Sequence, residues 1–206
     1  MLEKTQIVGV LLAGGRSRRF GSDKAFAQLA GEPLVNHVLA RAVRQTGVFA
    51  VNATRGFAPA EEWGVPLIED IIGPDRGPLA GIHATISWTL QNVPSARCVA
   101  SFAVDCPLMP EDLVARLSAV SEEGTRVVIA ESGGRTHPVF GLWPLAILPR
   151  LQHFLVEQGQ SGVGKFAASV NAVTVEFENR EYDPFINVNR QDDLTLVKKI
   201  IGGSIR

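Results

Sequence analysis

Eleven residues, Gly14-Gly15-Arg16-Ser17-Arg18-Arg19-Phe20-Gly21-Ser22-Asp23-Lys24, hold four positive charges and one negative in a chain of formal charge −1. Glycines let a backbone turn tightly and bring its N–H groups close to a ligand, while Arg and Lys supply charge for phosphate oxygens. The segment reads as a polyphosphate cradle, although its composition alone also fits a solvated surface loop. Its spacing matches neither Gly-x-Gly-x-x-Gly nor Gly-x4-Gly-Lys-Ser/Thr, so the common nucleotide signatures are absent here. Farther on, Asp105 follows the apolar run Cys98–Val104 and precedes Pro107. In a parallel sheet that puts a carboxylate at a strand's carboxyl end beside the glycine loop; an Asx turn or cap before the next helix is the competing role. Asn52 and Asp70 also stand at the ends of short apolar runs, and Asn187 and Asn189 lie two apart, so that on a strand both would face one side.

These residues need a frame. Short runs rich in Val, Ile and Ala near 6–13, 48–53, 66–69, 97–104, 125–130 and 172–177 predict strands, and 182–188 is a further candidate. Longer segments near 34–46, 79–92, 110–121, 144–157 and 190–201 predict helices, with Pro33 and Pro110-Glu111-Asp112 as start signals. The alternation implies an α/β fold in three layers, a mostly parallel sheet flanked by helices, and the length favours one domain over 1–206. The run Val8–Ala13 is apolar on both faces, as a central parallel strand should be, and ends abruptly in glycine.

Several classes are excluded. Twenty basic residues against twenty-one acidic ones give no global positive field, so a nucleic-acid partner is not expected. The apolar stretch Ile7–Ala13 is far below the roughly 20 residues a bilayer span needs, and the first six residues lack a signal-peptide layout, so a cytoplasmic protein without a membrane partner is expected. Cys98 and Cys106 form no Cys-x-x-Cys pair and read as buried thiols. Gly159 to Phe166 nearly spells a Walker loop, but Phe166 has no hydroxyl and residues 150–158 read as helix where that motif needs a buried strand.

Leu12-Ala13-Gly14-Gly15-Arg16-Ser17-Arg18-Arg19-Phe20-Gly21 with Asp23-Lys24 resembles the signature of the molybdenum cofactor guanylyltransferase family, within the Rossmann-like nucleotidyltransferases. Further matches follow in order: Val51-Asn52-Ala53, Ile68-Glu69-Asp70, Gly77-Pro78-Leu79-Ala80-Gly81, Asp105-Cys106-Pro107, His137-Pro138 and Asn187-Val188-Asn189. The resemblance implies transfer of GMP from GTP to the terminal phosphate of molybdopterin or Mo-molybdopterin, with release of pyrophosphate. Mg²⁺ is the implied cofactor, with Mn²⁺ as a substitute, and molybdopterin-handling and molybdoenzyme maturation proteins are the implied partners. A pterin cytidylyltransferase, a sugar-phosphate nucleotidyltransferase and a non-catalytic pterin escort are the alternatives.

Carried over residue by residue, the resemblance makes Asp105 the metal ligand and makes Arg19 and Lys24 the phosphate-contacting cations, the first planar and the second a point charge. Leu12, Ala13, Gly14 and Gly15 would hold the base and ribose. Gly14, where cytidine- and uridine-using relatives usually have Ala, suggests room for a purine. Asn52, Asp70 and Gly81 would contact the nucleotide, Asp70 by accepting from guanine N1–H and its 2-amino group. Neighbouring Glu69 competes for that role. His137 would lie near the acceptor, and Asn187 and Asn189 would help position metal or acceptor. The family commonly continues with Thr-Pro after the last pair, whereas Arg190-Gln191 stands here, so the start of the last helix is open.

Overall fold

The computed structural model describes residues 2–14, 24–54, 57–73, 76–179 and 181–203. In chain order these form β1 (Ile7–Leu12), β2 (Gln28–Leu29), β3 (Glu32–Pro33), α1 (Leu34–Ala42), β4 (Val48–Asn52), α2 (Ala58–Glu62), β5 (Leu67–Ile68) and α3 (Pro78–Asn92). There follow β6 (Cys98–Ala103), α4 (Leu113–Ala119), β7 (Val128–Ser132), β8 (Arg135–Pro144), α5 (Leu148–Gln152), α6 (Val163–Ser169), β9 (Val173–Phe177) and α7 (Gln191–Ile201).

The alternation of side chains along β1 fixes the layers. Ile7 and Leu11 join a core with Val35 and Val38 of α1 and Leu113 and Leu117 of α4. Val8, Val10 and Leu12 point the other way, into a core with Leu79, Ile82 and Ile86 of α3, Leu151 of α5 and Phe166 of α6. Each such side chain, fully buried, contributes roughly 1.5–3 kcal/mol before the entropy of ordering it is subtracted. A strand apolar on both faces must have helices on both faces, and it does.

Among the described residues the sheet has seven strands in the order β5-β4-β1-β6-β8-β7-β9. The first four are parallel, β8 runs antiparallel to both β6 and β7, and β7 pairs parallel with β9. β8 was not expected. Its cause is local: Gly133 and Gly134, at φ 54° and 74°, form the two-residue turn that joins Ser132 to Arg135, and two positive φ values match the twist of a tight hairpin. The expected strand at 125–130 is displaced with it, to Val128–Ser132.

Two further expectations are corrected. The helix expected over 144–157 is a 3-10 turn at Leu145–Ile147, then α5, then a π turn at His153–Glu157. Residues 182–188 make no strand. Pro184 has no N–H for a ladder, the Asp183 carboxylate accepts the Phe185 N–H at 2.9 Å, and the Ile186 N–H turns back to the Asp183 carbonyl at 3.2 Å. The near-Walker residues Gly164-Lys165-Phe166 lie inside α6, with helix rather than strand before them. Among the described residues no helix is long and apolar enough to cross a membrane.

Candidate active site

The ladder registers align four strand ends. Leu12 lies level with Asn52 on one side and with Ala103 on the other, and Asn52 lies level with Ile68. Chain direction is the same in all four, so Gly14, Asp70 and Asp105, each two residues past its strand's aligned residue, leave the sheet at one edge. At ~4.8 Å per strand this row spans about 14 Å, the scale of an extended nucleoside triphosphate. Open α/β sheets place ligands at this edge.

Asn52 organises one end of the row. Its side chain is buried, and its Nδ2 donates to the Ile68 carbonyl at 3.0 Å and to Asp70 Oδ1 at 2.9 Å. Its backbone carbonyl accepts the Ala13 N–H at 2.9 Å. Exposed Asp70 is thus held by a buried amide, and the strand-end backbone at Ala13 is tied to the same residue. Gly81, in the first turn of α3, closes the floor. A Cβ there would lie 2.7 Å from Asn52 Cγ and 2.8 Å from Leu12 Cδ2, closer than real contacts allow. Gly77, at φ 70°, makes the turn into α3, and Pro78 occupies the first helical position, where a missing N–H costs nothing. Beneath the floor, both ring nitrogens of buried His83 lack a partner among the described residues. Burial lowers the His83 pKa, and the negative charge of Asp70 partly offsets this.

Asp105 organises the other end. Its carbonyl accepts the Val188 N–H at 2.8 Å, and the Cys106 thiol contacts the Pro184 carbonyl at 3.5 Å, so the segment 183–188 is strapped across the end of β6. Burial pushes the Cys106 thiol well up, and Asp105 and Asp183 push it further. Asn187 Oδ1 is buried beside this strap without a partner among the described residues. Asn189 is exposed, and its N–H, like that of Arg190, is bound by Asp193 Oδ2 at 2.8 Å. No strand carries Asn187 and Asn189, so strand alternation does not set their faces; Asp193 caps the start of α7.

His137 lies on β8, at the same edge. Its Nε2 is 2.8 Å from Ser132 Oγ, Ser132 donates to Asp183 Oδ1 at 2.7 Å, and the ring stacks on Phe185 at 4.6 Å. Burial lowers the His137 pKa; Asp183 and Glu176 raise it and Arg135 lowers it. The residues that sequence reading missed are Ser132, Asp183 and His83. The first was legible, since Gly133-Gly134 between two apolar runs is a hairpin signal that brings Ser132 toward His137.

The edge thus brings together Leu12, Ala13, Gly14, Asn52, Asp70 and Gly81 at one end, and Asp105, Asn187 and His137 at the other. Lys24 opens a 3-10 turn, Lys24–Phe26. Gly15 and Arg19 lie outside the described residues. Among the described residues no group of three or more His, Cys, Asp and Glu is placed to hold a metal.

A family model described as the MobA-like NTP transferase domain matches residues 9–173. A Rhizobium leguminosarum protein named molybdenum cofactor guanylyltransferase is 43% identical, over 93% of this chain and 91% of its own length. The crystal structure of molybdopterin-guanine dinucleotide biosynthesis protein A from Archaeoglobus fulgidus superposes with a TM-score of 0.72 at 21% identity, covering 95% of this chain and 99% of that one. Rv0371c of Mycobacterium tuberculosis, in a crystal structure with manganese, superposes with a TM-score of 0.66 at 18% identity, covering 94% of this chain and 98% of that one. The two structural likenesses show the shared fold, the family match and the relative show descent, and the chain belongs to the MobA-like NTP transferase family of nucleotidyltransferases.

Proposed function

We propose that this chain is a cytoplasmic enzyme that transfers GMP from GTP to the terminal phosphate of molybdopterin or Mo-molybdopterin, forming the guanine dinucleotide and releasing pyrophosphate. The name of the 43% identical relative supports the reaction. The observation that carries it in this chain is the single row of Asp70, Asn52, Gly14 and Asp105 along the carboxyl edge of four parallel strands. Two buried free thiols suit a reducing compartment.

In this reading the backbone from Leu12 to Gly15 receives the nucleoside. Asp70, held by Asn52, accepts hydrogen bonds from guanine N1–H and the 2-amino group, a pattern cytosine cannot supply. Gly81 lets the start of α3 pack against Asn52 and Leu12 under the nucleotide, and Arg19 and Lys24 neutralise the triphosphate. The acceptor phosphate attacks the α-phosphorus in line and pyrophosphate leaves. Such a step is accelerated mainly by alignment and by charge neutralisation, because the protein has little covalent chemistry to do.

The donor set fits Mg²⁺. A carboxylate from Asp105 and the buried, unpartnered amide oxygen of Asn187 are hard oxygen donors, and magnesium is typically held by one or two carboxylates together with substrate phosphates. Asp105 and Asn187 would hold the ion, which when bound supplies positive charge at the phosphoryl oxygens. Mn²⁺ accepts the same donors, and the manganese-bound Rv0371c structure is in keeping with that. The test is to incubate the protein with each nucleoside triphosphate in turn, Mg²⁺ and molybdopterin, and to measure pyrophosphate. Release with GTP well above that with CTP, UTP or ATP is expected; preference for CTP, or release only with a sugar phosphate as acceptor, overturns the reading.

A further inference from the structure

We infer that Ser132 and Asp183 are positioning residues that hold His137 as its Nε2-protonated tautomer, leaving Nδ1 to take a proton from the terminal phosphate of the acceptor. The inference rests on the acceptor-side reading of His137 given above. Ser132 and His137 are both buried, so their polar atoms must satisfy each other. A hydroxyl has one proton. The carboxylate of Asp183 can only accept, and Ser132 Oγ lies 2.7 Å from Asp183 Oδ1, so the hydroxyl proton is committed there. The hydroxyl oxygen, 2.8 Å from His137 Nε2, must then receive the Nε2–H. Nδ1 is left with its lone pair.

Asp183 also fixes the plane of the ring. The same Oδ1 accepts the Phe185 N–H at 2.9 Å, and the Phe185 ring stacks on His137 at 4.6 Å and 26°. One carboxylate oxygen therefore sets both the tautomer and the aromatic wall. The strap that carries Asp183 and Phe185 also binds Asp105, through the Val188 N–H. The β6–β8 ladder ends with Ser101 level with Gly141, and β8 bulges over residues 138–140 before His137, so the link from the ring to the end of β6 runs through the strap, where the Cys106 thiol contacts the Pro184 carbonyl beside Asp183. The relay therefore stands at the acceptor side of the row.

A phosphate monoester loses its second proton near pH 6, so a fraction of the acceptor arrives singly protonated. The P–OH proton passes to Nδ1, and the freed oxygen pair forms the bond to the α-phosphorus of GTP. The α-phosphorus to bridging-oxygen bond breaks, and its electrons leave with pyrophosphate. The imidazolium formed is balanced by Asp183 through Ser132. The charged groups facing the ring are Asp183 on the strap, Glu176 on β9 and Arg135 on β8 itself, while burial keeps the resting ring neutral.

The full chain and its Asp183→Asn, Ser132→Ala and His137→Gln variants test this. Asp183→Asn keeps an oxygen for the Phe185 N–H and the Ser132 hydroxyl, removes the charge, and puts an NH2 donor in place of Oδ2. Its KM for GTP should stay within about twofold of the parent value and its turnover with molybdopterin should fall about tenfold or more. The acid limb of kcat/KM for molybdopterin should also move to lower pH, because a charge that raises the His137 pKa is gone. A limb set by the acceptor phosphate alone does not respond to this substitution, and His137→Gln should reduce the profile to that limb. Imidazole ¹⁵N shifts in the unliganded protein should show Nε2–H in the parent and mixed tautomers in Ser132→Ala. An Nδ1–H parent, or an active parent whose rate and limb survive Asp183→Asn, overturns the inference. A parent that releases no pyrophosphate from GTP and molybdopterin instead defeats the proposed function, and the proton step falls with it.

Discussion

The two ends of the row, one proposed for the nucleotide and the other for the acceptor, are built by different means. The nucleotide end is made of backbone and of the residue that braces it: Leu12 to Gly14, the carbonyls of Asn52 and Ile68, and a helix start that approaches so closely that Gly81 has no room for a methyl group. The acceptor end is made of side chains passed from hand to hand, Asp183 to Ser132 to His137 with Phe185 as backing, on a hairpin and a strap rather than on adjacent parallel strands. A backbone surface recognises by shape and needs a few glycines in fixed places. A side-chain relay can be retuned one residue at a time, which suits the end that meets the more elaborate substrate.

Asp105 joins the ends, and its removal should have the largest effect. Asp105→Ala leaves the carbonyl that binds the Val188 N–H, so that tie between the strap and the end of β6 should survive. Transfer should fall by about 10³-fold or more, the scale of losing a principal charge-stabilising group in a phosphoryl transfer. Pyrophosphate release with GTP and molybdopterin measures it. Activity within tenfold of the parent would mean that the ends are joined by some other group.

The same contrast explains what the sequence made legible. The parallel half was readable because each site residue follows its own apolar run: β1 then Gly14, β4 ending in Asn52, β5 then Asp70, β6 then Asp105. Local order was enough. The acceptor half was not, because its partners are distant in the chain: Ser132 meets Asp183 across 51 positions. β8 was missed because its apolar residues Val139 to Trp143 run directly into the helical segment that follows, and a continuous apolar run does not announce its own period. The strand expected at 182–188 failed for a readable reason, Pro184, and with it went the strand alternation from which a common face of Asn187 and Asn189 was expected.

A substitution confined to the nucleotide end sharpens the contrast. Gly81→Ala places a methyl where Asn52 Cγ and Leu12 Cδ2 already stand, 2.7 and 2.8 Å away. The nearest atom is the Asn52 amide oxygen, and Asn52 is buried and tied through Nδ2 to Ile68 and Asp70, so it must move and with it the brace on Asp70. A displacement near 1 Å costs on the order of 10²-fold in a pre-formed site, so KM for GTP should rise by about 10- to 100-fold. The His137 tautomer, read by imidazole ¹⁵N shifts, should not change. A KM within twofold would show that the nucleotide end yields instead of being pre-formed.

The smallest effect concerns His83, the one place where the nucleotide end keeps a buried polar ring without partners among the described residues, while the ring at the acceptor end is paired. An unsatisfied buried group costs roughly 1–3 kcal/mol, so His83→Leu, similar in volume and without that cost, should stabilise the fold by about 1 kcal/mol at pH 7.5. The gain should grow on acidification. Burial holds the folded-state pKa of His83 below 6.5, so as pH falls through 6.5 the unfolded chain takes up the proton first and the native protein loses stability. The leucine variant escapes that part of the loss. His137, lowered in the same direction, keeps its share in both proteins, so the acid slope should shrink without vanishing. Urea unfolding at pH 5.5 and 7.5 reads both numbers. Equal destabilisation of the variant at the two pH values would mean that the ring has a polar partner after all, and that the two ends of the row treat their buried histidines alike.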